Sequence, residues 1–310
     1  MGTYSWRNSL LNYECHSVHT SSGKLDLHRF CSNAEGVPVF MVHGTGGGAD
    51  SFIQREQPNA GLAPFLASHG FDVYVAELSF SLAVEFRCQV GLHQLILEEI
   101  PAHLAAVAKL RPSCPQFWLG HGLGSVLLAS CYGRLDIMPA PVLGMVQITA
   151  ARRCELSSLL KSVKAMWWQG ITSLGGLLSK EQSWMPGAGI DSRLRREVSL
   201  WQQDAEWKDP ADGYNYRAAL QLKGMPPALY LGCRGDSVRG GMEDTRLWVE
   251  ELGRHDVRIV QVAKPCGNLR NYNYNSILSR PEACEDHFLQ VLVWLEELSG
   301  QKISVERNTA

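Results

Sequence analysis

The sequence has no run of about twenty apolar residues, the length a membrane-spanning helix requires. It also lacks any C-x-x-C pair. Its nine cysteines are scattered and odd in number, which points away from a zinc site or a disulfide framework and toward free thiols in a reducing compartment. Neither sign of charge dominates: 29 basic and 31 acidic residues give a formal net charge of −2, which leaves no electrostatic footprint for nucleic acid or an anionic membrane. Residues 1–14 hold no apolar core of signal-peptide length, and Trp6 stands where a myristoylation motif needs Ser or Thr, so a cytoplasmic protein is expected. The glycines that follow His43 are not followed by the Lys of a phosphate-binding P-loop, and no cofactor or metal is expected.

The chain has 310 residues, 45% of them hydrophobic and 19% charged, enough to bury a large core. Two strand-like pieces, 15–20 and 24–30, flank a Ser21-Ser22-Gly23 turn. Apolar runs at 37–42, 71–77, 116–119, 142–149, 228–233 and 257–263 then read as buried strands. Between and after them, residues 62–69, 92–110, 123–134, 247–252 and 288–298 carry helical spacing. This alternation predicts an α/β protein with a mostly parallel, doubly wound sheet, whose ligands bind at the carboxyl ends of the strands. From 152 to 212 the alternation breaks. That stretch holds helical pieces, Pro and Gly interruptions, and Trp167, Trp168, Trp184, Trp201 and Trp207. A helical cap over residues 152–212 is expected, inserted into a core of residues 1–151 and 213–310. Its tryptophans either line an apolar pocket or pack the helices onto the core.

The stretch Phe117-Trp118-Leu119-Gly120-His121-Gly122-Leu123-Gly124-Ser125 runs strand, sharp turn, helix. A G-x-S-x-G nucleophile elbow has this layout, with a Ser exposed on a strained turn between two glycines. Gly120 and Gly124 hold the glycine places; the central residue is Gly122, which has no side chain to attack with. Ser125 lies almost a turn beyond the apex and reads as a packing residue. Taken alone, G-x-G-x-G has a plain glycine-rich turn as its lesser alternative. The strand at 37–42 ends in His43-Gly44-Thr45-Gly46-Gly47-Gly48, a turn suited to presenting backbone N–H groups to an oxyanion. Asp236 follows the strand at 228–233, either as a catalytic acid or as a helix-capping turn residue. No histidine occurs between Ala263 and Pro281.

In order and spacing, residues 37–298 resemble bacterial α/β-hydrolase-fold proteins of the lipase and esterase type. The stretch Asp209-Pro-Ala-Asp-Gly-Tyr-Asn-Tyr-Arg-Ala-Ala-Leu and the ending Tyr272-Asn273-Tyr274…Arg280-Pro281-Glu282-Ala283…Val293-Trp294-Leu295 carry the same likeness. The resemblance implies an oxyanion turn at His43, Gly44 and Thr45, completed by the backbone of Leu123, with Asp236 as the acid. It puts Gly122 at the nucleophile position and Tyr274 at the position of the base, where relatives read Tyr-Asn-His. His121 is expected to support the turn and His287 to face away from it. With two of three triad side chains replaced, the expected function is non-hydrolytic: a pseudoenzyme that binds an apolar or acyl-bearing small molecule, or a protein partner. The alternatives are a true hydrolase, or a lyase- or cyclase-type enzyme using Asp236, Tyr274 and the oxyanion turn.

Overall fold

Eight strands form one sheet in the order β1-β2-β4-β3-β5-β6-β7-β8. They are β1 (Asn12–Thr20), β2 (Gly23–Cys31), β3 (Pro38–Val42), β4 (Asp72–Ala76), β5 (Gln116–His121), β6 (Val142–Ile148), β7 (Ala228–Cys233) and β8 (Val257–Val262). The β1–β2 and β2–β4 pairings are antiparallel and all the others parallel. The computed structural model describes residues 11–45, 47–54, 61–82, 90–153, 192–234 and 241–300.

The apolar runs become strands buried on both faces because every central strand is sandwiched. β3, β4, β5 and β7 are buried along their whole length. Successive side chains point to opposite faces: Val39, Met41, Val73, Phe117 and Leu119 join one core, and Phe40, Val42, Tyr74 and Trp118 the other. Helices α1 (Leu62–Ser68) and α7 (His287–Ser299) cover the first face. The second is covered by α2 (Ile100–Leu110), α3 (Leu123–Arg134), α5 (Tyr216–Lys223) and α6 (Met242–Leu252). Helix α6 begins five residues before the expected 247, because its polar first turn, Met242 to Arg246, hides the start from an apolar-spacing argument. Just ahead of α2 the backbone widens into a π turn at Leu95–Glu99, next to Pro101, which lacks the N–H a regular helix would use there.

Two buried carboxylates hold elements together. Glu99, fully buried, accepts Ser22 Oγ–H and Ser79 Oγ–H, both at 2.6 Å, and Ser79 N–H at 3.0 Å. It thus ties the β1–β2 hairpin to the turn after β4. Glu99→Leu would leave those donors buried and unpaired, and we expect equilibrium denaturation to report a loss of about 2–3 kcal/mol.

Glu251 on α6 takes both arms of Arg152, at 2.7 and 2.6 Å, and both residues are 2% exposed. The remaining Arg152 nitrogen donates to the carbonyls of Trp201 and Asp204, at the end of α4 (Ser192–Gln203). Arg153 Nε also donates to Glu251, so Arg152→Ala leaves the buried carboxylate with one partly exposed partner and should cost about 2–3 kcal/mol in urea unfolding. Arg152→Met,Glu251→Leu, which removes both charges, should recover much of that loss.

Of the expected cap, residues 154–191 lie outside the described residues, with Trp167, Trp168 and Trp184. Trp201 and Trp207 are 3% and 1% exposed and stack edge-on with Tyr216 and Trp248, so these two pack onto the core. The seven described cysteines are free, and no described helix is long and apolar enough to cross a membrane.

Candidate functional site

Strands β3 and β5 are parallel neighbours, with Val42 paired to Gly120, so the turns that follow them lie side by side at their carboxyl ends. The sharp turn after β5 exists because of close backbone packing. A Cβ on Gly124 would come 2.2 Å from the Val42 carbonyl oxygen, and one on Gly120 would come 2.4 Å from the Ser125 Cα. Neither place tolerates a side chain. Gly122 itself has φ +52° and ψ −117°, a conformation that L residues adopt only under strain, and its N–H donates to the Ile148 carbonyl at 2.9 Å. Helix α3 starts at the next residue, Leu123, so its first N–H groups face the turn. Ser125 is buried one turn along rather than at the apex.

Tyr274 arrives from the other side. Its phenol oxygen would be only 2.0 Å from a Cβ on Gly122, and its Cζ 2.7 Å; the same oxygen would be 2.4 Å from a Cβ on Gly44. The ring therefore fills the space that a side chain at 122 would need, and it stands against the His43-Gly44-Thr45 turn at the same time. Sequence reasoning put Tyr274 at the position of a base. The structure places its hydroxyl where a Cβ on residue 122 would stand.

The two nearby histidines are committed elsewhere. His121 donates from Nε2 to the Tyr274 carbonyl at 3.0 Å, and its ring lies 4.4 Å from the Tyr274 ring. Burial pulls its imidazole down to about 4, so it is neutral at physiological pH. His43 is fully buried. The Leu78 N–H donates to its Nε2 at 3.1 Å, which leaves the proton on Nδ1, donated to the Gly44 carbonyl at 2.9 Å. His43 thus shapes the turn from within. His287, at the start of α7, is fully buried and donates from Nε2 to the Ile277 carbonyl at 2.6 Å; burial brings it, too, to about 4. Asp236 lies outside the described residues.

Glu77 escaped the sequence argument. Its carboxylate accepts the Ala49 N–H at 3.2 Å and the Ser81 hydroxyl, so it pins the far end of the glycine turn to the end of β4. The available signal was an acidic residue closing an apolar strand beside a glycine-rich loop. His93, Asp209 and Asp212 bring metal-ligand atoms within 4.8 Å of one another. Arg134 already binds both oxygens of Asp212, and Tyr216 and His93 occupy Asp209, so this cluster is a set of ion pairs and hydrogen bonds.

No protein-family model matches this chain, and no curated protein matches it either. Solved structures do. A Staphylococcus aureus protein of unknown function superposes with a TM-score of 0.60 at 18% identity, over 92% of this chain and 99% of that one. Carboxyl esterase 2 of the mycorrhizal fungus Tuber melanosporum gives 0.59 at 16%, over 96% and 89%. A Pyrococcus furiosus esterase gives 0.56 at 11%, over 98% and 96%. At these identities the likeness concerns the fold. Strand order, the two antiparallel pairings at one end of the sheet and these neighbours agree: the chain has the α/β-hydrolase fold.

Proposed function

We propose that this is a non-hydrolytic α/β-hydrolase-fold protein, a binder of an apolar or acyl-bearing small molecule or of a protein partner, with residues 152–212 as its cap. One observation carries the reading: the Tyr274 hydroxyl occupies the place where a nucleophile's Cβ would stand. A Ser, Cys or Asp route needs a side chain there and a base beside it. His121 and His287 are held by carbonyls and are neutral, and a tyrosine, with a reference pKa of about 10, is a poor base at neutral pH.

The position of the phenol against the oxyanion turn also favours a second reading, in which Tyr274 and Asp236 move protons in a lyase- or cyclase-type reaction without a covalent intermediate. A bell-shaped pH profile that disappears in Asp236→Asn would mark that case. The first reading is tested by offering purified protein a nitrophenyl-ester series from short to long acyl chains. We expect no saturable, chain-length-dependent turnover. Any rate above buffer should stay within the roughly 10³–10⁴-fold that an oxyanion site and binding supply without a triad. Saturable, chain-length-dependent turnover by the wild type would sink the proposal.

A further inference from the structure

The segment that carries Tyr274 is fastened on both sides of it to the start of α7. On one side, the Asp286 carboxylate accepts three donors: Asn268 Nδ2–H at 2.7 Å, Leu269 N–H at 2.9 Å and Tyr272 O–H at 2.9 Å. On the other, His287 holds the Ile277 carbonyl. Tyr272 and Ile277 are 2% and 0% exposed and act as apolar anchors. Burial and the Asp286 carboxylate push the Tyr272 phenol upward, which keeps it a donor. Between the anchors, Asn271, Asn273 and Asn275 are exposed while Tyr274 is half-buried against the elbow. His121 Nε2–H holds the Tyr274 carbonyl at 3.0 Å, which ties the middle of the segment to the elbow.

We infer that residues 268–277 form a strap which holds Tyr274 as an internal plug, and that Asp286 is the residue that positions it. The inference rests on the non-hydrolytic reading above and adds a regulatory device to it. With its hydroxyl against Gly44 and Gly122, the plug stands in the space through which a ligand oxygen would approach the N–H groups of the glycine turn and of the start of α3. A carboxylate or carbonyl ligand reaches those donors only in the fraction of molecules whose strap has lifted, and its apparent affinity is reduced by that fraction. Asp286 is far from those donors along the chain and acts only through the strap.

The test is calorimetric titration with decanoate. Tyr274→Ala should bind at least about tenfold more tightly than wild type, because the closed state no longer competes. Asp286→Asn, which keeps the ring but loosens the strap, should tighten binding by a smaller factor. In the Tyr274→Ala background the Asp286→Asn change should have no further effect, a non-additivity that a merely structural role would not produce. Equal affinity of wild type and Tyr274→Ala, or an Asp286→Asn effect that persists without the ring, overturns the strap. Should Tyr274→Ala not fold, amide exchange of Asp286→Asn decides the matter: faster exchange confined to residues 267–277 supports the inference, and unchanged exchange there overturns it. Saturable, chain-length-dependent ester turnover by the wild type would overturn the non-hydrolytic reading instead, so the two failures are separable.

Discussion

Gly122→Ser combined with Tyr274→His is expected to turn the protein into an esterase, while Gly122→Ser alone is not. The reason is steric first. A Cβ at 122 in the present backbone would lie 2.0 Å from the Tyr274 hydroxyl, far inside contact distance, so the single variant must displace the ring or the turn. It also places a non-glycine residue at φ +52°, a strain of about 1–3 kcal/mol that the elbow must absorb. Replacing Tyr274 by the smaller His removes the clash and puts an imidazole beside the new hydroxyl. A complete triad is worth about 10⁶ in rate, and individual members act as a unit. A rebuilt site of imperfect geometry should therefore still exceed the wild type by about 10²-fold or more on a short nitrophenyl ester. Tyr274→His alone should remain at the wild-type level, because nothing at 122 can attack. Equal activity of Gly122→Ser and the double variant would show that the base does not belong at 274.

Acid should destabilise the fold well before its carboxylates titrate. Burial holds His121 and His287 at about 4 in the native state, whereas an unfolded chain takes up these protons near 6.5. Unfolding thus binds protons between those two values. The stabilisation is complete above about pH 6.5 and is lost as pH falls toward 4, amounting to about 3 kcal/mol for each group by the end of the window. Buried His103, also lowered by burial, adds in the same direction. Guanidinium unfolding at pH 7.0, 6.0 and 5.0 should show a steady decline, and His287→Asn should flatten it. A free energy of unfolding independent of pH over that range would remove the buried neutral histidines from the account.

Much of the fold was legible in the residues because a parallel sheet covered on both faces imposes continuous apolar strands. The runs at 37–42, 116–119 and 228–233 coincide with β3, β5 and β7 to within two residues at either end. Such runs need only local composition to be seen. The start of α6 was hidden by a polar first turn, and the packing of Trp201 and Trp207 was open because tryptophan serves a core and a pocket equally well. Gly122 and Tyr274 stood out in motif order, whereas the bond from His121 to the Tyr274 carbonyl did not, because it joins two loops far apart in the chain.

By itself the sequence determined the strand and helix alternation, the elbow without a side chain and the absence of histidine between Ala263 and Pro281. Only the tertiary structure decided that Gly122 and Tyr274 meet: the phenol of Tyr274 takes up the volume that Gly122 leaves, and Asp286 holds the segment that carries it. The physical reason is that strands and turns follow from interactions within a few residues. The fit of a ring from one loop into a gap in another depends on sheet register and loop path, which no local pattern encodes.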